Sequence, residues 1–243
     1  MSEALLETRD LVKHFGGIKA IDSVSIKVME GEILGLIGPN GAGKTTLFNC
    51  ITGTYKPDGG KIFFRQKEIT GLPSHEIIKL GIGRTWQIVR PFKKMSVLDA
   101  IATGSLLRYS DVEKAKEKAK EIASFLGLPK DILEKRGEEI TLMQHKLVDL
   151  ARALATKPKL LLIDEVGAGL RPSELSAMID TLQKINSERK VTLVVVEHIM
   201  RLVMSISKRV IVMHEGRVIA QGKPEEVSND PQVIQAYLGI KPI

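Results

Sequence analysis

The run GPNGAGKTT, Gly38 to Thr46, constrains this chain more than any other stretch. It fits the pattern G-x-x-x-x-G-K-[ST] and lies between an apolar strand-like run, EILGLIG, and a helical run, KTTLFNCITG. That strand–loop–helix context is what a phosphate-cradling loop requires. Glycine lets backbone N–H groups approach phosphate oxygens closely, and the helix N-terminus adds a favourable partial charge. Gly38, Asn40, Gly41, Ala42, Gly43, Lys44, Thr45 and Thr46 are therefore the candidate nucleotide-binding residues. In this motif the lysine, Lys44, reaches the β- and γ-phosphates, and the Thr45 hydroxyl is a ligand for Mg²⁺. The spacing predicts binding of a nucleoside triphosphate. It leaves kinase, GTPase and ATPase chemistry open.

The segment LLLIDE narrows that choice. Its aliphatic run puts Asp164 at the end of a buried strand, expected beside the phosphate loop in a parallel sheet, where a carboxylate can hold the Mg²⁺ shell. Glu165, one residue on, is placed to polarise an attacking water. A second apolar run, VTLVVVEH, ends at His198, which can donate to the γ-phosphate or help fix that water. Taken alone, a strand-end histidine is more often structural. Gln87 in RTWQ and Phe15 in HFGG are weak signals on their own. Loop glutamines are common, and a strand-end aromatic belongs to the core more often than to a base-stacking surface.

The 243 residues suit one α/β domain, 1–243, with a helical subdomain at about 88–157. SVSIKV alternates in the strand manner, and LLLID and VTLVVV are apolar on both faces, which predicts a buried, mostly parallel sheet. RVIVMHEGRVIAQG reads as a hairpin turned at His214 to Arg217. Ala115, Ala119, Ile122, Ala123 and Leu126 form one helical stripe, and Asp230-Pro231 opens a last helix. Thr141-x-x-Gln144 has the spacing of a capping box. The net charge of +7 permits nucleic-acid or membrane contact without establishing either. A lone cysteine, Cys50 in LFNCITG, excludes an intrachain disulfide and reads as a buried thiol. No run approaches the roughly 20 apolar residues that span a bilayer. A soluble, cytosolic chain is expected, with any membrane role exerted through a partner.

In order and spacing these pieces resemble the ATP-binding subunits of ABC transporters over nearly the whole chain. GPNGAGKTT corresponds to Walker A, LLLIDE to Walker B, Gln87 to the Q-loop glutamine, His198 to the switch histidine and Phe15 to the adenine-stacking aromatic. The resemblance implies the ABC ATPase fold: a P-loop NTPase core, an N-terminal antiparallel β subdomain and a helical subdomain. It also implies a Mg²⁺-dependent ATPase with Glu165 and His198 catalytic, and Thr45, Gln87 and Asp164 around the metal. Two copies would close head to tail over two nucleotides. FGGIKAID, GIGRTWQ, MSVLD, VEH-x-M and the final AYLG are most similar to importers of branched-chain or other hydrophobic amino acids. Exporters of urea, lipid or lipopolysaccharide share several of these strings.

One departure matters. Where the family carries LSGGQ, this chain has Ile140-Thr141-Leu142-Met143-Gln144. Thr141 keeps a hydroxyl and Gln144 is retained, but Leu142 and Met143 put bulk where glycine lets the backbone approach a ligand. Val166 stands where the family has proline after the Walker B glutamate. In the family this signature faces the nucleotide of the opposite subunit. The resemblance therefore implies a heterodimer with a second ABC ATPase subunit of regular signature, giving one competent site and one weak one. It further implies integral membrane permease subunits as partners, attachment at the cytoplasmic face of the membrane, and no nucleic acid. A regulatory or assembly subunit with little hydrolysis is the competing expectation. A DNA-repair or translation ATPase of the same superfamily ranks last, because those carry coiled-coil insertions or tandem domains.

Overall fold

Alternation in the first thirty residues produces a long hairpin. In the computed structural model, which describes residues 4–86 and 94–238, β1 (Ala4–Phe15) pairs antiparallel with β2 (Ile18–Met29). Val24, Ile26 and Val28 are buried while Ser25 and Lys27 face outward. β4 (Gly59–Phe64) pairs with the other side of β1, and the short β5 (Lys67–Glu68) completes an antiparallel sheet in the order β2-β1-β4-β5.

The runs apolar on both faces make the second sheet. β3 (Ile33–Ile37), β7 (Leu160–Asp164) and β8 (Thr192–Val196) are buried at every residue. With β6 (Ile82–Arg84), β9 (Arg209–His214) and β10 (Arg217–Gly222), the order among the described residues is β10-β9-β3-β8-β7-β6. All pairings are parallel except β9 with β10, the hairpin turned at Glu215-Gly216. Two-residue periodicity divides this sheet between two cores. Leu161, Ile163, Leu193 and Val195 face one cluster; Leu160, Leu162, Val194 and Val196 face another, shared with the antiparallel sheet.

Helices follow the strands. α1 (Lys44–Ile51) leaves the loop after β3, and α2 (Ser74–Leu80) precedes β6. α3 (Val97–Ser105), α4 (Val112–Phe125) and α5 (Leu142–Ala155) pack together before β7. α4 buries Ala115, Ala119 and Ala123 and exposes its lysine-rich face. α6 (Pro172–Arg189) and α7 (Met200–Ile206) precede β8 and β9, and α8 (Pro224–Ser228) and α9 (Pro231–Leu238) close the chain order. Asp230 Oδ1 accepts the Gln232 amide at 2.8 Å, capping α9 as its sequence implies. Cys50 is buried, and burial pushes its thiol up to about 11.

β7, which ends in Asp164, is separated from the phosphate-loop strand β3 by β8. Asp164 is in register with Val196, and Val196 with Leu36. The end of β7 therefore stands two strand spacings, about 10 Å, from the end of β3. β3 itself is flanked by β8 and β9, which come from later in the chain. That is the kind of strand-order reversal where open α/β sheets form a crevice at their carboxyl ends.

Candidate nucleotide site

The phosphate loop is held by backbone contacts that only glycine allows. Gly38 has φ 147°, and a Cβ there would lie 2.1 Å from the Met213 carbonyl oxygen. Gly43 has φ 101°, with a Cβ position 2.4 Å from the Ala20 carbonyl oxygen. The loop is thus pressed against β9 on one side and β2 on the other. α1 begins at Lys44 with no side-chain cap, so its first-turn amides have no intrahelical acceptors and carry the positive end of the helix dipole. Lys44 is buried, and its Nζ donates to the Gly38 and Pro39 carbonyls at 2.7 and 2.9 Å. Burial lowers its pKa, against the pull of Glu165 and Asp164.

In front of this loop is a cavity of about 500 Å³. Asn40, Gly41, Ala42, Gly43, Lys44, Thr45 and Thr46 line it, together with Glu165 and His198 from the ends of the neighbouring strands. The structure therefore brings the loop and the two candidate catalytic residues into one space. Glu165 Oε1 and His198 Nε2 are 3.1 Å apart. Glu165 has a left-handed φ of 50°, a conformation that persists only where its surroundings fix it. Here its amide donates to the Val196 carbonyl at 2.9 Å, and its own carbonyl accepts from Lys146 Nζ at 3.0 Å.

Asp164 is buried beside the cavity. Its Oδ2 accepts from Arg84 at 2.9 Å, while Oδ1 has no hydrogen-bond partner among the described residues. Burial raises its pKa, with the Arg84 guanidinium pulling the other way. Glu197, one residue before His198, is also buried; its carboxylate accepts from the Gly167 amide at 2.6 Å and pins the turn after Glu165. Burial raises the pKa of this carboxyl as well.

Arg84, Lys146 and Glu197 are the residues that motif reasoning misses. Lys146 has a legible signal: it stands three residues after Met143 and four before Leu150, on the apolar stripe of α5, where a charge is out of place. Glu197 similarly ends an otherwise apolar run. Arg84 has no such pattern around it. A fourth is Tyr237 on α9, within the AYLG ending, whose phenol interacts with the Gly38 amide and whose pKa is raised by burial.

The remaining candidates lie elsewhere or outside view. Phe15 is not in the core; it is 43% exposed, and its ring meets Tyr55 edge-on at 5.2 Å. The cavity wall extends to Ile18, Lys19 and Ala20 and does not include Phe15. Gln87 is outside the described residues. Thr141 to Gln144 do not line this cavity. Thr141 Oγ1 accepts from the Gln144 amide at 3.3 Å, and Gln144 Oε1 from the Thr141 amide at 2.9 Å, a complete capping box at the start of α5. Leu142 is exposed on the first turn, and Met143 packs partly against the core.

The donor set suits a hard divalent cation. A buried carboxylate oxygen with no partner among the described residues belongs to Asp164, Thr45 is exposed in the cavity wall, and Mg²⁺ is held by few protein oxygens together with phosphates. The described residues contain no cluster of three or more His, Cys, Asp or Glu that could hold a metal ion.

A phosphate loop after the first parallel strand, a strand-end Asp-Glu pair and a histidine just past the strand between them define a P-loop nucleoside triphosphatase. Comparison with known proteins is more specific. The family described as "ABC transporter" matches residues 21–168, and that described as "Branched-chain amino acid ATP-binding cassette transporter" matches residues 217–240. The chain is 38% identical to the high-affinity branched-chain amino acid transport ATP-binding protein LivG of Salmonella typhimurium, covering 98% of this chain and 99% of that one. It is 38% identical to the probable LivG of Archaeoglobus fulgidus, covering 97% and 95%. A nucleotide-free ATP-binding cassette from an ABC transporter superposes with a TM-score of 0.90 at 34% identity, over 98% of this chain and 100% of that one. An ADP-bound cassette superposes with a TM-score of 0.88 at 33% identity, over the same shares.

The chain belongs to the ABC transporter family, and it has the ABC ATPase fold. Its activity is that of a transport-coupled ATPase using ATP and Mg²⁺.

Proposed function

We propose that this chain is one ATPase subunit of an importer for branched-chain or other hydrophobic amino acids. It works at the cytoplasmic face of the membrane, attached through permease subunits. The reading is supported by the LivG relatives and by the C-terminal match at residues 217–240. No helix among the described residues is long and apolar enough to cross a membrane, so attachment falls to a partner. A groove of about 340 Å³ between the end of β6 and α3 and α5, with Trp86, Gly104, Asp149 and Arg152 in its wall, is the surface offered to a permease.

The observation that carries the catalytic reading is the Glu165–His198 pair, 3.1 Å apart, in the same cavity as the phosphate loop. The amides of Gly41 to Thr45 and the Lys44 ammonium hold the triphosphate, and Lys44 leaves the Gly38 and Pro39 carbonyls to do so. Thr45 and Asp164 Oδ1, which has no partner among the described residues, would hold Mg²⁺, and the ion would neutralise phosphate charge. Glu165 orients and polarises the attacking water, and His198 fixes the Glu165 carboxylate through its Nε2 and meets the γ-phosphate. Phe15, beside Tyr55, gives the base an aromatic surface. Gln87, outside the described residues, would by the family resemblance be a further group toward the metal.

Thr141 to Gln144 face the nucleotide of a second subunit. With Leu142 and Met143 in place of glycines, the backbone approach there is obstructed. Loss of one positioned transition-state donor costs on the order of 10²–10³ in rate. This chain therefore pairs with a different ATPase subunit of regular signature, giving one competent site from this chain's own loop, Glu165 and His198. The test is specific ATP turnover of the purified chain alone and of the chain with its partner subunit. Turnover that rises on pairing supports the heterodimer. Equal specific turnover in both preparations refutes it.

A further inference from the structure

Arg84 is the last residue of β6, and its side chain is 6% exposed. Three segments meet on it. It donates to Asn49 Oδ1 on α1 at 2.5 Å and to Asp164 Oδ2 at the end of β7 at 2.9 Å. A longer contact of 3.5 Å goes to Thr52 Oγ1 at the end of α1. Its guanidinium carbon lies 4.4 Å from the centre of the Trp86 ring. Trp86 is half exposed, and its backbone amide donates to Asp149 Oδ2 on α5 at 3.0 Å. One cation therefore touches the helix of the phosphate loop, the carboxylate beside the cavity and the indole of the outer groove.

We propose that Arg84 is a positioning residue that holds Asp164 by one oxygen, turns the other toward the metal, and transmits occupancy of that oxygen to Trp86. The proposal rests on the reading of Asp164 as the metal-facing carboxylate. The planar fork of arginine holds a carboxylate oxygen in a fixed direction, which a point-charge ammonium does not. With Oδ2 committed to Arg84, Oδ1 is the oxygen left for a cation, and it is the one without a partner among the described residues. A divalent cation at Oδ1 shares the carboxylate's charge with the guanidinium and repels it. Asn49 and Phe48 wall in one side of the guanidinium, whereas the half-exposed indole on another side has room to adjust. A merely neutralising arginine needs no contact with the groove. Arg84 has that contact, through the ring whose amide is anchored to α5.

Trp86 is the chain's one tryptophan, so its emission reports this contact directly. The experiment uses the full chain saturated with a non-hydrolysable ATP analogue, in EDTA and then with added Mg²⁺. Emission is followed in wild type, Arg84→Met and Arg84→Lys, with nucleotide binding measured in parallel by calorimetry and folding by circular dichroism. Wild type is expected to change its emission when Mg²⁺ is added to the nucleotide-saturated protein. Arg84→Met is expected to bind nucleotide and lose that Mg²⁺-specific change, and Arg84→Lys to recover part of it. An unchanged Mg²⁺ response in Arg84→Met, or calorimetric Mg²⁺–nucleotide binding to wild type with silent emission, overturns the proposal. The wild-type arm decides even where a variant misfolds. A wild-type chain with no nucleotide binding in calorimetry overturns the reading of the site itself, and this proposal with it.

Discussion

Gly43→Ala is a sharp perturbation of the phosphate loop because its cost has two separable origins. The residue caps α1 with φ 101°, and holding a non-glycine residue in such a region costs on the order of 1–3 kcal/mol. The new Cβ would also lie 2.4 Å from the Ala20 carbonyl oxygen, with Ile21 Cδ1 at 3.2 Å and Met213 Cε at 3.3 Å. The nearest of these is backbone of β2, so the loop itself must retreat by about 1 Å to restore ordinary contact. Together these terms come to about 2–4 kcal/mol, or roughly 30- to 1,000-fold in an equilibrium constant. Gly41→Ala is the control: its φ is 80°, but nothing lies within 4 Å of its Cβ position. Only the conformational cost applies there, about 1–2 kcal/mol. Titration calorimetry with ATP, alongside a thermal melt of each variant, reads both places where the cost can appear, affinity and stability. Gly43→Ala is expected to lose clearly more than Gly41→Ala. A Gly43→Ala variant with wild-type affinity and wild-type melting temperature refutes the geometry assigned to the loop.

Replacing His198 by alanine leaves the phosphate loop intact, so in the assembled complex turnover is expected to fall by about 10²–10⁴ with ATP affinity nearly unchanged; affinity falling in step with turnover contradicts that role. Thr141→Ala removes the cap of α5 and is expected to destabilise the chain by about 0.5–2 kcal/mol, read as a lowered melting temperature that Thr141→Ser restores. Cys50, buried with its thiol pushed up to about 11 from 9.0, is expected to resist alkylation at pH 8 in the folded chain and to react on unfolding. The unfolded thiol ionises before the folded one, so this group lowers stability as pH rises from 9.0 toward 11 and contributes nothing below that range. Rapid native-state alkylation refutes the burial.

Much of the fold was legible where a signal is local. The all-apolar runs Leu160–Asp164 and Thr192–Val196 are buried parallel strands because both their faces pack, and the Asp230 cap and the Thr141–Gln144 box are local hydrogen-bond patterns. Residues 65–86 carry no lasting periodicity, because β5, α2 and β6 are two, seven and three residues long. Strand order is not local at all. β8 enters between β3 and β7 from more than 25 residues further along the chain, so the neighbour of the phosphate-loop strand could not be read from the LLLIDE segment. The same holds within the site. Glu165 and His198 are each visible as a strand-end residue, but their 3.1 Å pairing depends on β7 and β8 lying in register. Arg84 is separated by 80 positions from the carboxylate it holds, and only the tertiary structure joins them.

The most direct test of the whole account is the equilibrium affinity of the full chain for ATP with Mg²⁺, compared between wild type and Lys44→Ala. Lys44 is the loop's buried cation, and its removal leaves the triphosphate without the charge that the cavity is built around. Saturable binding to wild type and none measurable to Lys44→Ala is the expected result. Micromolar binding retained by Lys44→Ala, or none by either protein, contradicts it.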